Sequence, residues 1–279
     1  MDIIYKKKLN DLLNLTGLKD DSIFDFDLSK NTSIKCGGTC SCFIRVDKRH
    51  ALMDLLKRFY TYNFLNIKLF PVGDCTNILF ADGYLDLILI KLGKDFNYID
   101  AKSDGLVFAG SATKLAKFIV ESAKAGYDYS DFAGIPGTIG GAVSGSSGGG
   151  INGYNINYYV EKIKYISITP DGIEQKERKL NKEDFSYRSL NICDLFIITD
   201  VVFNYKKVKI EKIQSQSNKK IEKTDNQDNL KKEIIIKRIR NKIKGKKINQ
   251  PLNTKNAGCV FKNPSANNFT AGKLIDDCG

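Results

Sequence analysis

Histidine occurs once in this chain, at His50, and that scarcity removes most metal chemistry. Cys36, Cys40 and Cys42 lie close together, but no second cysteine pair and no second histidine completes a four-ligand set. Three small thiols around a glycine turn and a strand are the expected arrangement, without metal. The seven cysteines are odd in number and irregularly spaced, which fits a reducing compartment rather than a disulfide framework. No apolar run approaches the length of a membrane span, and Met1–Lys8 lacks the apolar stretch of a secretory signal. A cytoplasmic protein with no membrane partner is expected. No Gly-Lys-Ser/Thr follows a glycine loop, so there is no nucleoside-triphosphate P-loop. The Rossmann glycine spacing is missing too.

Basic charge is abundant but local. Residues 206–247 carry +11 of the net +12, so the rest of the chain is nearly neutral. The segment has no aromatic between Tyr205 and Phe261 on which a base could stack. A solvated, lysine-coated segment is therefore expected, with nucleic-acid binding as the competing reading.

Apolar periodicity places short helices and strands in mixed order. Ile3–Leu15 reads as a helix. Phe43–Val46, Leu69–Val72 and Leu85–Leu92 read as strands. Ala51–Tyr60 sets Leu52, Leu55, Leu56 and Phe59 on one helical face. Leu106–Gly110 is a strand before a helix over Lys114–Ala125, with Thr113 as its cap. Gly134–Gly153 reads as a glycine-rich loop. Val160–Thr169, the turn Pro170-Asp171-Gly172 and Ile173–Arg178 form a hairpin, and Leu195–Phe203 adds a strand. Leu230–Ile243 is amphipathic, and Lys273–Asp276 belongs to a final helix. Strands and helices do not alternate strictly, so the fold class is α+β.

Five segments carry candidate chemistry. Gly73-Asp74-Cys75-Thr76-Asn77 follows a strand and can present successive N–H groups to phosphate, with Thr76 and Asn77 adding side-chain donors. Gly134-Ile135-Pro136-Gly137-Thr138-Ile139-Gly140-Gly141 spends four glycines in eight residues, which favours close approach of backbone to a ligand. Asn31–Gly38 offers Gly37 and Gly38 with Lys35 beside them, a pocket edge for phosphate or substrate. Tyr187-Arg188 sets a carboxylate-gripping fork beside an aromatic ring. Cys259 follows Gly258 within Asn256–Pro264. A thiol, with a reference pKa near ~8.5, can act there as a general acid.

Taken together, from about Ser29 to Gly279, these runs resemble the UDP-N-acetylenolpyruvoylglucosamine reductase family. The resemblance implies a two-part FAD-binding region of the PCMH (vanillyl-alcohol-oxidase-like) type plus a smaller substrate domain. The implied division is a helical lead-in at 1–28, the flavin region at 29–205, a basic linker or insertion at 206–229, and an incomplete substrate domain at 230–279. The implied activity is NADPH-dependent reduction of UDP-N-acetylglucosamine enolpyruvate to UDP-N-acetylmuramate in peptidoglycan synthesis, with FAD and NADPH as cofactors and no obligate protein partner. Lys35, Gly37, Gly38, Gly73, Asp74, Cys75, Thr76, Asn77, Gly134, Gly137, Thr138, Gly140 and Gly141 would hold the cofactor. Tyr187, Lys262 and Asn263 would touch substrate. Arg188 matches the arginine on the substrate carboxylate, and Cys259 stands where the family usually has a serine proton donor. Cys75 stands where a glycine is frequent. Ser144–Gly150 replaces an Asn-Ala-Gly stretch, and the segment after Arg188 is shortened. The family's catalytic glutamate lies in a further C-terminal segment, and no residue here corresponds to it. The alternative is another FAD oxidoreductase of the same fold acting on a different small substrate.

Overall fold

The structure, a computed structural model, describes residues 3–62, 68–148, 155–192, 195–206, 225–250, 254–264 and 270–279. Two sheets organise it. The first has the order β1-β2-β4-β3, from β1 (Ser22–Asp27), β2 (Thr39–Val46), β3 (Lys68–Val72) and β4 (Tyr84–Leu92). β1 runs antiparallel to β2, whereas β2 and β3 both run parallel to β4. The one-turn α2 (Leu28–Asn31) joins β1 to β2; the parallel pairs need crossovers, and α3 (Arg49–Thr61) follows β2 in that position. The second sheet is antiparallel throughout, with the order β5-β6-β11-β7-β8. It is built from β5 (Ile99–Ala101), β6 (Leu106–Gly110), β7 (Val160–Thr169), β8 (Gly172–Lys179) and β11 (Leu195–Asn204). A two-residue hairpin, β9 (Phe185–Ser186) and β10 (Ser189–Leu190), stands apart from both.

Each sheet is apolar on both faces, so each needs two covers. α1 (Ile3–Leu15) and α3 lay Leu9, Leu12, Leu13, Leu52, Leu55 and Leu56 against Ile44, Val46, Ile88 and Ile90. Ile166 and Ile197 of the second sheet join the same cluster, so this core also bridges the sheets. The lead-in expected at 1–28 is thus part of the first layer, because α1 buries three leucines and β1 forms the sheet edge. The other face of the second sheet packs α4 (Leu115–Lys124) and α5 (Ile139–Ser144) through Leu115, Phe118, Ile119, Ile139 and Val143.

β4 carries an extra residue opposite Ser41, where the register steps from Cys40↔Leu85 to Cys42↔Ile88. At this irregularity Cys40 and Cys42, two residues apart in β2, lie on opposite faces instead of sharing one. Cys42 joins the core under α3, while Cys40 joins Leu28, Phe80 and Leu89 on the far side. Burial pushes the Cys40 thiol up to about 11 and Cys42 to about 12. Among the described residues no cluster of His, Cys, Asp and Glu could hold a metal, and no helix is long and apolar enough to cross a membrane.

The basic segment is more ordered than its charge suggests. Residues 207–224 of the expected linker lie outside the described residues, but α6 (Asp225–Asn249) begins within its last part. Ile235 and Ile239 of α6 are buried in the core of the second sheet. One turn apart on the adjoining stripe, Arg238 Nη1 donates to Asp128 Oδ2 at 2.9 Å and Lys242 pairs with Asp131. This helix, expected in a segment separate from 29–205, packs instead on the core of the second sheet. Thr113, expected to cap α4, donates its hydroxyl to the Tyr98 carbonyl at 3.0 Å, and Lys114 takes the cap position.

A charged pin joins the two layers. Arg49, at the start of α3, forms a bidentate pair with Asp200 of β11, and Tyr98 donates to the same carboxylate at 2.8 Å. Burial pushes the Asp200 carboxyl up, but the bonds from Arg49, Tyr98 and Thr199 prevail and hold it below its ordinary range. Removing one partner of such a pair strands the other. Because Arg49 is partly exposed, Asp200→Ala is expected to cost about 2 kcal/mol, read as a lower urea midpoint. The folded carboxyl is the stronger acid, so its contribution is complete above about pH 4 and lost as pH falls. The variant should show a shallower acid limb, and an unchanged midpoint would remove the pin from the account.

Candidate active site

The two glycine loops meet. β3 delivers the chain at Val72 into Gly73, and a methyl group at Gly73 would collide with Thr138 Oγ1. Thr138 cannot simply turn away, since its hydroxyl caps α5 by accepting from the Gly141 N–H at 3.4 Å. At the second contact, Gly137 has φ +111° and a methyl there would lie 3.0 Å from Thr76 Oγ1. Thr76 Oγ1 also reaches the Pro136 carbonyl at 3.5 Å. Both close approaches depend on the missing Cβ.

Within the first loop, Cys75 adopts φ +51°, a conformation that costs a non-glycine residue about 1 kcal/mol. Its side chain packs toward the cluster of Leu28, Cys40, Phe80 and Leu89, which offsets that cost, and burial pushes its thiol pKa up. Among the described residues, the N–H groups of Asp74, Cys75, Thr76 and Asn77 find no hydrogen-bond partner. Successive free N–H groups around a left-handed residue are the geometry of an anion nest. The Asp74 carboxylate turns away from them to pair with Lys91 at 3.1 Å and with Lys114. A recess of about 80 Å³ opens beneath, lined by Phe26, Phe43, Val72, Asp74, Cys75 and Lys91 among others.

The second loop, expected as irregular chain to Gly153, contains the six-residue helix α5. The Ile139 and Gly140 amides donate to the carbonyls of Thr113 and Ser111 at 2.9 and 2.8 Å. A methyl at Gly140 would lie 2.9 Å from Ser111 Cβ. Gly140 therefore serves helix packing on the strand end, and its amide is already taken. Gly134, at φ +78°, lies under Lys246 of α6, whose Cδ would be 2.8 Å from a methyl there. Burial lowers the Lys246 pKa, with Lys242 adding to the effect. A half-buried ammonium thus stands over the glycine loop.

The Asn256–Pro264 run docks on the first loop. The Ser33 hydroxyl lies 2.9 Å from the Asn256 carbonyl and 3.4 Å from that of Cys75. Gly258, at φ +80°, approaches Asn77, whose Oδ1 would be 3.3 Å from a methyl there. Cys259 follows on the exposed side. Further on, the Asn263 N–H donates to the Tyr187 hydroxyl at 3.1 Å, and Asn263 Oδ1 accepts from Ala271 at the start of α7 (Ala271–Asp277) at 3.0 Å. Arg188 sits at the β9–β10 turn with φ +62°, its guanidinium 5.6 Å from the centre of the Tyr187 ring. Tyr187, Arg188 and Asn263 thus form one group. Lys262 is exposed beside it.

Lys35 does not face the loops. It is exposed and donates to the Lys30 carbonyl at 2.6 Å. Gly37 packs on Phe80, and Gly38 passes close to the Gly83 carbonyl, so both serve the path of the chain beside β4. The contribution of Asn31–Gly38 to the site comes instead from Ser33. Ser33, Lys91, Lys114 and Lys246 carry no local signal, and each reaches the site through contacts distant in sequence.

No family model matches the chain. Among curated proteins it is similar to UDP-N-acetylenolpyruvoylglucosamine reductase of Wolbachia sp. subsp. Drosophila simulans (strain wRi), 27% identical over 271 residues, covering 96% of this chain and 80% of the relative. The enzyme of that name from Rickettsia bellii (strain RML369-C) is 28% identical over 274 residues, covering 96% and 78%. The solved structure of the Thermus caldophilus enzyme aligns with a TM-score of 0.64 at 24% identity, covering 92% of this chain and 79% of that one. The paired sheets and facing loops are those of the α+β, FAD-binding PCMH-type fold. Within that class, the chain is similar along nearly its whole length to the UDP-N-acetylenolpyruvoylglucosamine reductase (MurB) family.

The Ser33 bond is the testable joint of this arrangement. One hydrogen bond contributes about 1 kcal/mol, so Ser33→Ala should speed amide hydrogen exchange around Gly258 about fivefold. Exchange in β7 and β11 should not change. Equal protection at Gly258 in both proteins would show that Ser33 does not hold the segment.

Proposed function

We propose that this chain is the reductase of its family, holding FAD across the two glycine loops and reducing UDP-N-acetylglucosamine enolpyruvate to UDP-N-acetylmuramate with NADPH. The observation that carries the reading is the meeting of three distant runs, with Gly73 against Thr138 and Gly258 against Asn77. The free N–H groups of Asp74–Asn77, the Thr76 hydroxyl and the Asn77 amide suit a pyrophosphate, and Lys114 and Lys246 bring compensating charge. When bound, FAD would take two electrons from NADPH and deliver them to the substrate's enolpyruvyl double bond.

The chain's own groups supply the rest. The Arg188 guanidinium would grip the enolpyruvyl carboxylate bidentately and stabilise the charge that develops there. Tyr187 and Asn263 hold each other and would frame the substrate beside it, with Lys262 nearby for its phosphates. The Cys259 thiol would give the proton that completes saturation, a role a serine hydroxyl also fills. His50 is an exposed residue of α3, so the flavin is expected to be noncovalent and fully released on denaturation. Cytoplasmic placement and a role in cell-wall synthesis belong to this reading. The competing reading, a flavin enzyme of the same fold with another substrate, lacks an observation of its own.

The test is NADPH consumption dependent on the enolpyruvyl substrate, with flavin absorbance followed in both half-reactions. Cys259→Ala should leave flavin reduction by NADPH intact and slow reoxidation by substrate at least about a hundredfold, the usual scale of a lost general acid. Cys259→Ser should retain useful turnover. An alanine variant reoxidised at the native rate would make Cys259 a bystander.

A further inference from the structure

The carboxylate of Asp74 is out of place in a loop read as a phosphate nest, since it brings negative charge to an anion site. Its partners explain it. Lys91 belongs to β4 and lies beside Val72 in the parallel register, so it is fixed to the strand that feeds the loop. Lys114 caps α4 and pairs through its backbone with Thr138, the cap of α5. The next amide, Leu115, donates to the Gly137 carbonyl at 3.0 Å. Whatever holds Lys114 therefore holds Gly137 and Thr138. The Asp74 side chain is 14% exposed, whereas those of Lys91 and Lys114 are 36% and 58% exposed, so the carboxylate is the buried hub and the ammoniums are its arms. Burial pushes the Asp74 carboxyl up, and the bonds from Lys114 and Lys91 outweigh it.

Resting on the flavin reading above, we infer that Asp74 is a positioning residue: through Lys91 and Lys114 it fixes the gap between the two glycine loops, and so sets affinity for the pyrophosphate of a dinucleotide. The three groups carry a net charge of +1, so the cluster still attracts the anion while its carboxylate holds both cations in place. Gly73, adjacent in sequence, already touches Thr138. Asp74 thus closes a ring that runs from the first loop through Lys114 and Thr138 back to Gly73. The ring has opposite consequences from simple electrostatics. A carboxylate that merely repels phosphate should improve binding when neutralised. A carboxylate that sets the gap should weaken binding when neutralised, despite the gain of positive charge.

The experiment is FAD titration of the deflavinated full chain by fluorescence quenching, with the melting temperature of each apoprotein measured alongside. Asp74→Asn is expected to weaken FAD about tenfold, the scale of a coupled pair, with an apoprotein melting temperature close to that of the native chain. Lys114→Met, at an exposed arm that tolerates change, is expected to weaken FAD similarly, and the double variant no more than Lys114→Met alone. Asp74→Glu should recover most of the affinity. Unchanged or tighter FAD binding by Asp74→Asn, fully additive losses in the double variant, or a loss that tracks apoprotein melting would each overturn the clamp. A native chain that binds no FAD overturns the flavin reading itself, whereas native binding with an indifferent Asp74→Asn overturns the clamp alone.

Discussion

The contact on which the site depends is the near touch of Gly73 and Thr138. One belongs to the loop that leaves the parallel sheet, the other to the cap of a short helix packed on the antiparallel sheet. Two sheets with separate covers can sit at many distances. Here the distance is set by the Gly73 backbone lying against the Thr138 side chain. The larger pins then resist motion: Arg49 crosses from α3 to Asp200 of β11, and the core under α3 takes in Ile166 and Ile197 from the other sheet. The contact of Gly73 with the Thr138 side chain selects the gap, and the buried charge and apolar core hold it.

The groups proposed for the chemistry hang from the rim of that gap. The free amides of Asp74–Asn77 line one side. Lys246 overhangs the other side at Gly134. Ser33, wedged between the carbonyls of Cys75 and Asn256, brings in the segment bearing Cys259. Tyr187 and Asn263 attach the hairpin that carries Arg188. Val260, Phe261 and Ile275 are largely exposed in this last part of the chain, and the chain spans about four fifths of the relatives it resembles.

Legibility in the sequence followed the range of the interaction. The glycine loops were readable because glycine at close spacing announces its own purpose. β2, β3, β4, β6, β7 and β11 announced themselves by apolar runs and β8 by the turn before it, whereas the short β5, β9 and β10 and the edge strand β1 did not. α5 was not readable. A Gly-Gly pair has poor helix propensity, and the helix forms because the Thr138 hydroxyl and the carbonyls of Thr113 and Ser111 satisfy its first amides. Lys35 looked like an anion contact because of the glycines beside it, yet its ammonium goes to the Lys30 carbonyl. Lys91 and Lys114 were silent, since Lys91 reaches Asp74 only once β3 and β4 are in register and Lys114 only once the two loops meet. At α6 the amphipathic run Leu230–Ile243 was readable despite its lysines and arginines, but not that Ile235 and Ile239 pack on the core of the second sheet.

The most direct measurement is FAD binding by Gly73→Ala beside the native chain. A methyl at Gly73 would press on Thr138 Oγ1 and force either the loops apart or the cap of α5 to break, while leaving every charge and every proposed donor in place. The account predicts that the native chain takes up FAD noncovalently and that Gly73→Ala stays folded but binds FAD at least about tenfold more weakly, a loss of ~1.4 kcal/mol. Equal affinity in the two proteins would contradict it, because the gap between the loops would then not be what holds the cofactor.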